Sequence, residues 1–287
     1  MFYKIKRAIA LSVLTASFIV SSAGGAAMPA ISAGPGQPAP NNSPNTQSKV
    51  LNTNGTGSNS PILYYNWSGY AATGGNPYLA VTATFVQPKV TCTVPGAWTL
   101  FWVGFDGFNN NTVEQAGTAA QCSTGSNPQP TYYAWWEMYP TNGIAVMPLT
   151  IKPGDSILAK ASYNPAKATY SLNVADKTTA QHYTKVASCE AGLTCARQSA
   201  EWIVERTMLG SNYAPLANWN TMQIKTAKAS NSYSAAHPTQ PLMQPISAFN
   251  NTPINMVDYP YTGKVLATVG PLNSTGTAFT DTWLAAQ

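Results

Sequence analysis

Residues 133–140 read Tyr133-Ala134-Trp135-Trp136-Glu137-Met138-Tyr139-Pro140. Alternate side chains of an extended chain share a face, so Tyr133, Trp135, Glu137 and Tyr139 would point one way. The same kind of run recurs along the chain: Ala80 to Val86, Trp98 to Phe105, Tyr132 to Tyr139, Ser156 to Tyr163, Thr169 to Val174, Glu201 to Thr207, Met222 to Thr226 and Val265 to Val269. Each is strand-length, rich in β-branched or aromatic residues, and bounded by turn signals such as Pro153-Gly154-Asp155 and Ala175-Asp176-Lys177. No convincing helical period competes with them. Many short strands with hairpin punctuation predict an all-β fold, an antiparallel β-sandwich whose inner and outer faces alternate along each strand. The Pro- and Asn-rich region from Asn212 to Tyr261 is expected to contain long surface loops.

The glutamate in that stretch belongs to a small set. The chain has five glutamates, and Glu114, Glu137, Glu201 and Glu205 fall in three segments that otherwise carry almost no charge: Val113-Glu114-Gln115-Ala116-Gly117, the stretch above, and Ala200-Glu201-Trp202-Ile203-Val204-Glu205. On a strand, Glu201, Ile203 and Glu205 would share a face, while Trp202 would pack inside or against the other sheet. Carboxylates set beside aromatic rings suggest a cleft with chemistry. The plainer alternative is a set of half-exposed strands whose glutamates face water.

Composition limits the function classes. Residues 1–27 combine a basic start (Lys4, Lys6, Arg7), an apolar stretch from Ala8 to Val20 and small residues thereafter, the pattern of a secretory signal peptide and too short for a membrane span. Residues 28–61 are rich in Pro, Asn, Ser, Gly and Thr and read as a linker or pro-segment. Residues 62–287 are then one secreted domain with a substantial core. Removing Lys4, Lys6, Arg7 and Lys49 from the fifteen basic residues leaves eleven against ten acidic ones, with no basic run to track phosphates, so nucleic acid is not an expected partner. So few carboxylates also suggest tolerance of acid, because little stabilisation is lost when carboxylates with depressed pKa values are protonated. Four cysteines, Cys92, Cys122, Cys189 and Cys195, favour two disulfides in an exported protein. Spacing does not fix the pairing, but Cys189 with Cys195 closes a short loop and leaves Cys92 with Cys122. A zinc site would want closer Cys or His spacing, and no metal or other cofactor is expected.

Read together, the segments Asn66-Trp67-Ser68-Gly69-Tyr70, Phe101-Trp102-Val103-Gly104-Phe105-Asp106-Gly107, Val113 to Gly117, Ala134 to Pro140 and Ala200 to Glu205 resemble, in order and approximate spacing, the motifs of the glutamic peptidases, or eqolisins. That resemblance implies two large curved antiparallel sheets of the concanavalin-like, jelly-roll kind, with acid endopeptidase activity on polypeptides through a Gln and Glu dyad. Position by position, the family's glutamine falls on Gln115 and its catalytic glutamate on Glu205, not Glu201. Its substrate-cleft tryptophans correspond to Trp67, Trp102 and Trp135, and Asp106, Glu137 and Tyr139 occupy positions that line or support the cleft. Two departures bear on subsite preference. Tyr133 stands where the family commonly has aspartate, and Arg206-Thr207 replace an acidic and an aromatic residue after Glu205.

The same residues admit other functions. A glycoside hydrolase could use Glu137 and Glu205 as acid and nucleophile, with tryptophans stacking on sugars, but this leaves Gln115 without a role. A non-catalytic lectin-like module would use the aromatic cleft for binding alone. His182 and His237 are isolated and read as surface or loop residues, and Ser68 has no partnered histidine to make it a nucleophile. The mature domain is expected to be a monomer.

Overall fold

The computed structural model describes residues 49–50, 60–74 and 77–287. The expected signal peptide, and nearly all of the expected linker or pro-segment, lie outside the described residues. Nineteen strands follow one another: β1 (Lys49–Val50), β2 (Ile62–Tyr64), β3 (Trp67–Thr73), β4 (Ala80–Val86), β5 (Trp98–Phe105), β6 (Val113–Cys122), β7 (Pro130–Tyr139), β8 (Ala145–Thr150), β9 (Ser156–Asn164), β10 (Thr169–Asp176), β11 (Gln181–Ser188), β12 (Ser199–Glu205), β13 (Met208–Leu209), β14 (Asn212–Tyr213), β15 (Thr221–Ser230), β16 (Gln244–Pro245), β17 (Asn250–Val257), β18 (Val265–Val269) and β19 (Phe279–Trp283). One 3-10 turn, Ile246–Ala248, is the helical content among the described residues.

Seventeen of these strands form one continuous ladder, antiparallel except where β17 meets β2. From β8 the pairing runs through β7, β6, β5, β12 and β3 to β17. It then turns through β18 and β19 into β15, β4, β9, β10 and β11. The second half lies over the first, with β10 packed on β6 and β7, β9 on β5 and β6, and β11 on β8. Sequence character follows position. The central strands β5 and β12 are buried at every residue; β5 reads as a nearly continuous apolar and aromatic run, while β12 carries Glu201 and Glu205 among its apolar residues, and the edge strand β11 is polar and largely exposed.

The main core fills the space between the two halves and includes Phe101, Phe105, Ile157, Tyr170, Leu172, Trp202, Trp219 and Phe279. Each such side chain removed from water contributes about 1.5–3 kcal/mol. A second apolar cluster covers the opposite face of β3, β12, β5, β6 and β7 and comprises, among others, Tyr64, Trp67, Leu100, Trp102, Tyr133, Trp135 and Ile203. Trp202 packs in the main core, with its Nε1 donating to the Thr82 carbonyl at 2.9 Å, on the side of β12 away from Glu205.

The region from Asn212 to Tyr261 contains the expected surface loop, residues 231–243, but also regular strand: β15 extends to Ser230, and β17 lies beside β3, where burial on the ladder outweighs its polar start and its proline. Strand β6 lacks a strong β-former pattern, yet its small residues let it fit between β5 and β7 at almost complete burial. One strand boundary needs correction: the run expected from Glu201 to Thr207 spans Ser199–Glu205, leaving Arg206 and Thr207 beyond it. Both expected cysteine pairs form, with disulfides Cys92–Cys122 and Cys189–Cys195. His182 and His237 are exposed.

Candidate active site

Cross-strand register arranges the second face in three rows. One row runs Ala71, Glu201, Gly104, Gln115, Glu137 across β3, β12, β5, β6 and β7; the next runs Gly69, Ile203, Trp102, Gly117, Trp135; the third runs Trp67, Glu205, Leu100, Ala119, Tyr133. Strand periodicity thus brings Trp67, Trp102, Gln115, Trp135, Glu137 and Glu205 onto one patch, as the sequence predicts. Glycine makes the close packing possible. A Cβ on Gly117 would lie 2.0 Å from the Phe101 carbonyl oxygen and 2.8 Å from Trp102 Cβ, so the bare backbone there leaves room for β5 at Trp102.

Trp102 uses that room to donate from Nε1 to Glu205 Oε2 at 2.6 Å, and Asn66 Nδ2 donates to Glu205 Oε1 at 3.3 Å. Trp67, edge-on to Trp102 at 5.2 Å between ring centres, directs a second indole N–H toward the same carboxyl without reaching hydrogen-bond geometry. Gln115 Nε2 donates to Glu137 Oε2 at 2.7 Å, and Gln115 Oε1 is buried without a donor. Tyr64 stacks on Trp67 at 5.7 Å and on Phe108 at 6.0 Å, so the loop after β5 closes over one end of the patch.

None of the four clustered glutamates faces water: Glu114, Glu137 and Glu201 are 0% exposed and Glu205 1%. The half-exposed alternative is therefore excluded. Burial pushes Glu205 up to about 8 against the opposing pull of its indole and amide donors. Burial also raises Glu201 well above the usual carboxylate range, with Asp106 and Glu114 adding to the effect. Glu114 alternates away from Gln115 and faces the Asp106 carboxylate instead. Asp106 stands outside the three rows at the end of β5 with φ +69°, accepting from the backbone N–H groups of Arg197 at 2.6 Å and Gln198 at 2.7 Å and from Asn110 Nδ2 at 2.7 Å. Tyr139 is half-buried at the end of β7, bordering the second cluster. Asn66 was not among the candidates, although its place next to Trp67 in the first motif was a usable signal. Phe108 and Tyr64 follow no motif and are found only from the stacking.

Comparison with known proteins fits this arrangement. The sequence pattern of the Peptidase A4 family matches residues 65–267. The chain belongs to the Peptidase A4 family. Aspergillopepsin-2 from Aspergillus niger is 28% identical over 216 residues, covering 68% of this chain and 74% of that protein. Among solved structures, scytalido-glutamic peptidase with a transition state analog inhibitor superposes with a TM-score of 0.61 at 20% identity, over 77% of this chain and 98% of that one. Aspergilloglutamic peptidase from Aspergillus niger superposes with a TM-score of 0.53 at 24% identity, over 66% of this chain and 99% of that one. At those identities the structural likeness speaks for the fold, and family membership makes this A4 chain a glutamic-type endopeptidase, a hydrolase.

Proposed function

We propose that this A4 peptidase is a secreted acid endopeptidase working through a Gln115–Glu205 dyad on a fold of two curved, jelly-roll-like sheets. The observation that carries the reading is the paired anchoring on one face: Glu205 is held by Trp102 and Asn66, and the Gln115 amide is held by Glu137. Peptide hydrolysis needs a base for water, donors for the oxyanion and an acid for the leaving nitrogen. Glu205 takes the water proton as oxygen attacks the scissile carbonyl, then passes that proton to the departing amine. Gln115 Nε2 keeps one N–H for the developing oxyanion after donating the other to Glu137, and its Oε1 is a free acceptor for the attacking water.

The raised Glu205 fits low-pH work for a physical reason. Desolvation is the cause that raises it, and the indole and amide hydrogen bonds lower it. Admission of water to the patch weakens the first cause and leaves the second, so the hydrated site ionises at lower pH than the dry one. Trp67, Trp102, Trp135 and Tyr139 supply aromatic surface for a polypeptide substrate, and Asp106 supports the cleft from below its end loop. Residues 1–27 act as a signal peptide, residues 28–61 as a pro-segment or linker, and residues 62–287 as the monomeric catalytic domain; the two disulfides suit an oxidising compartment.

The test is cleavage of a quenched peptide at acid pH by signal-free protein, with a polysaccharide panel alongside. Gln115→Ala should cut turnover by about two to three orders of magnitude, as loss of one oxyanion donor does elsewhere, and Glu205→Gln at least as much. Near wild-type cleavage by folded Gln115→Ala rejects the dyad, and polysaccharide cleavage dependent on Glu137 and Glu205 rejects the peptidase reading.

A further inference from the structure

The loop of residues 106–112 carries the roof of the site and is held by a single acidic hub. Asp106 accepts hydrogen bonds from Arg197 N, Gln198 N, Asn110 Nδ2 and, at 3.4 Å, Thr112 Oγ1. Asn110 in turn accepts from Gly107 N at 2.7 Å, which closes the loop on itself. Phe108, at its tip, accepts from Tyr64 Oη at 3.3 Å and stacks on the Tyr64 ring; Tyr64 stacks on Trp67, and Trp67 abuts Trp102, the donor to Glu205. A contiguous chain of contacts therefore links Asp106 to the catalytic carboxyl.

Glu114 faces this hub from β6. It is 0% exposed, and neither oxygen meets a donor at full hydrogen-bond geometry; the Thr112 hydroxyl, spread between Asp106 Oδ2 at 3.4 Å and the Thr194 carbonyl at 3.5 Å, gives Glu114 only a weak contact. Its carboxyl lies within hydrogen-bond reach of the Asp106 carboxylate. Two facing carboxyl groups cannot form that contact without a proton between them. Asp106 already receives donors on both oxygens, so the proton belongs on Glu114.

The surroundings do little to satisfy a charged Glu114: burial and Asp106 raise it, and Thr112 and Arg197 oppose them without offsetting them. The neighbours across β5 and β7 are Phe105 and Met138, both apolar. From β12 comes Glu201, another buried carboxyl, and from β10 comes Tyr170. The nearby cation, Arg197, donates from Nη1 to the Tyr78 carbonyl at 2.9 Å and lies 3.7 Å over the Tyr163 ring, so it acts on Glu114 through space and does not hydrogen-bond it.

We propose that protonated Glu114 is a positioning residue that latches Asp106, and with it the 106–112 loop, to β6, and that loss of its proton releases the Phe108–Tyr64–Trp67 stack from the site. Burial, reinforced by Asp106, keeps Glu114 protonated well above the ordinary glutamate range. In acid the latch is closed. As pH rises the two carboxylates repel in a setting that water does not screen, and Asp106, with the loop, parts from β6. The latch thus sets an upper pH limit on a well-formed site, a role resting on the peptidase reading above.

Amide hydrogen exchange of the signal-free wild-type protein across a pH series, corrected for intrinsic rates, tests the latch without any assay of turnover. Protection of residues 107–112 should be lost at lower pH than protection of β5 and β12. Loss only together with the whole domain overturns the proposal. Glu114→Gln supplies a donor of the same shape that cannot ionise. It should keep protection of the loop to higher pH and move the alkaline limb of peptide cleavage upward by about one pH unit, whereas a profile superimposable on wild type overturns the proposal. A protein that cleaves no peptide yet shows the early loop release would sink the peptidase reading and leave the latch standing.

Discussion

Trp102 and Glu205 are diagonal neighbours on adjacent antiparallel strands, joined by a buried 2.6 Å hydrogen bond from the indole to the carboxyl. The bond fixes one carboxylate oxygen and leaves the other with the longer contact from Asn66. Trp102→Phe keeps an aromatic body over Gly117 but removes the donor. A hydrogen bond to a charged group contributes about 1.5–3 kcal/mol, so kcat should fall by about tenfold or more, with KM changed less. The cause that lowers Glu205 is also weakened, so the acid limb of the kcat profile should move to higher pH. Steady-state kinetics over an acid pH series checks both, and an unchanged limb would show that the indole does not tune the base.

Stability should be greatest in acid. Ser68 Oγ donates to Asp281 Oδ2 at 2.6 Å, yet Asp281 is fully buried, its Oδ1 has no donor, and burial pushes it up to about 7. A carboxyl raised in the folded state binds its proton more tightly there than in the unfolded chain. Its contribution is fully present below the unfolded value of about 4 and is lost as pH rises through the folded one. Glu114, Glu201 and Glu205 are raised by burial as well and act in the same direction. The melting temperature should therefore fall steadily from about pH 4 to pH 8, and Asp281→Asn should flatten the neutral end of that curve. Thermal melts by circular dichroism decide it; a maximum near pH 7 would contradict the sign.

That result would rest on a different cause from the one visible in the sequence. Scarcity of carboxylates suggests only that acid removes little, whereas the structure places several carboxyls where acid is favoured. The sequence could not reveal this, because burial of Glu114 and Asp281 depends on strands distant in the chain that close over them. Alternation was enough to find Trp135 with Glu137 and Glu201 with Glu205, since a period of two is a local property. It missed β6 and β17, whose small or polar residues are selected by packing between particular neighbours rather than by β-propensity. Asn66 escaped because its role depends on the register of β3 against β12, and the Phe108 stack because loop conformation has no period.

The two disulfides should differ in weight. Cys92–Cys122 spans 30 residues and ties the chain before β5 to the end of β6, while Cys189–Cys195 spans six in a surface loop before β12. Loop-closure entropy assigns the longer one about 4 kcal/mol and the shorter about 2 kcal/mol. Paired Ala substitutions at each bridge, compared by denaturant unfolding at acid pH, should rank in that order. Equal losses would mean that strain or residual unfolded-state structure outweighs the loop term.

Two glycines on the site face separate folding from catalysis. At Gly69, φ is +139° and an added Cβ would lie 2.1 Å from the Trp202 carbonyl oxygen, a backbone atom on the paired strand β12. No rotamer change relieves that contact, so Gly69→Ala should part β3 from β12 and cost more than about 3 kcal/mol, enough to abolish soluble folded protein or nearly so. At Gly104 an added Cβ would lie 2.9 Å from Gln115 Cβ and from the Glu114 carbonyl oxygen and 3.1 Å from Trp102 Cζ3. Relief there requires a local shift of β6, which carries Gln115, and of the indole that holds Glu205. Overpacking of this kind costs about 1–3 kcal/mol, which leaves a folded protein with a misplaced dyad. Gly104→Ala should therefore retain a cooperative melt while losing about a hundredfold in kcat, since small displacements of catalytic groups cost that much. Near-ultraviolet circular dichroism, melting curves and kcat measured on the same preparations distinguish the two sites. Full activity in folded Gly104→Ala would show that Gln115 does not need its present position.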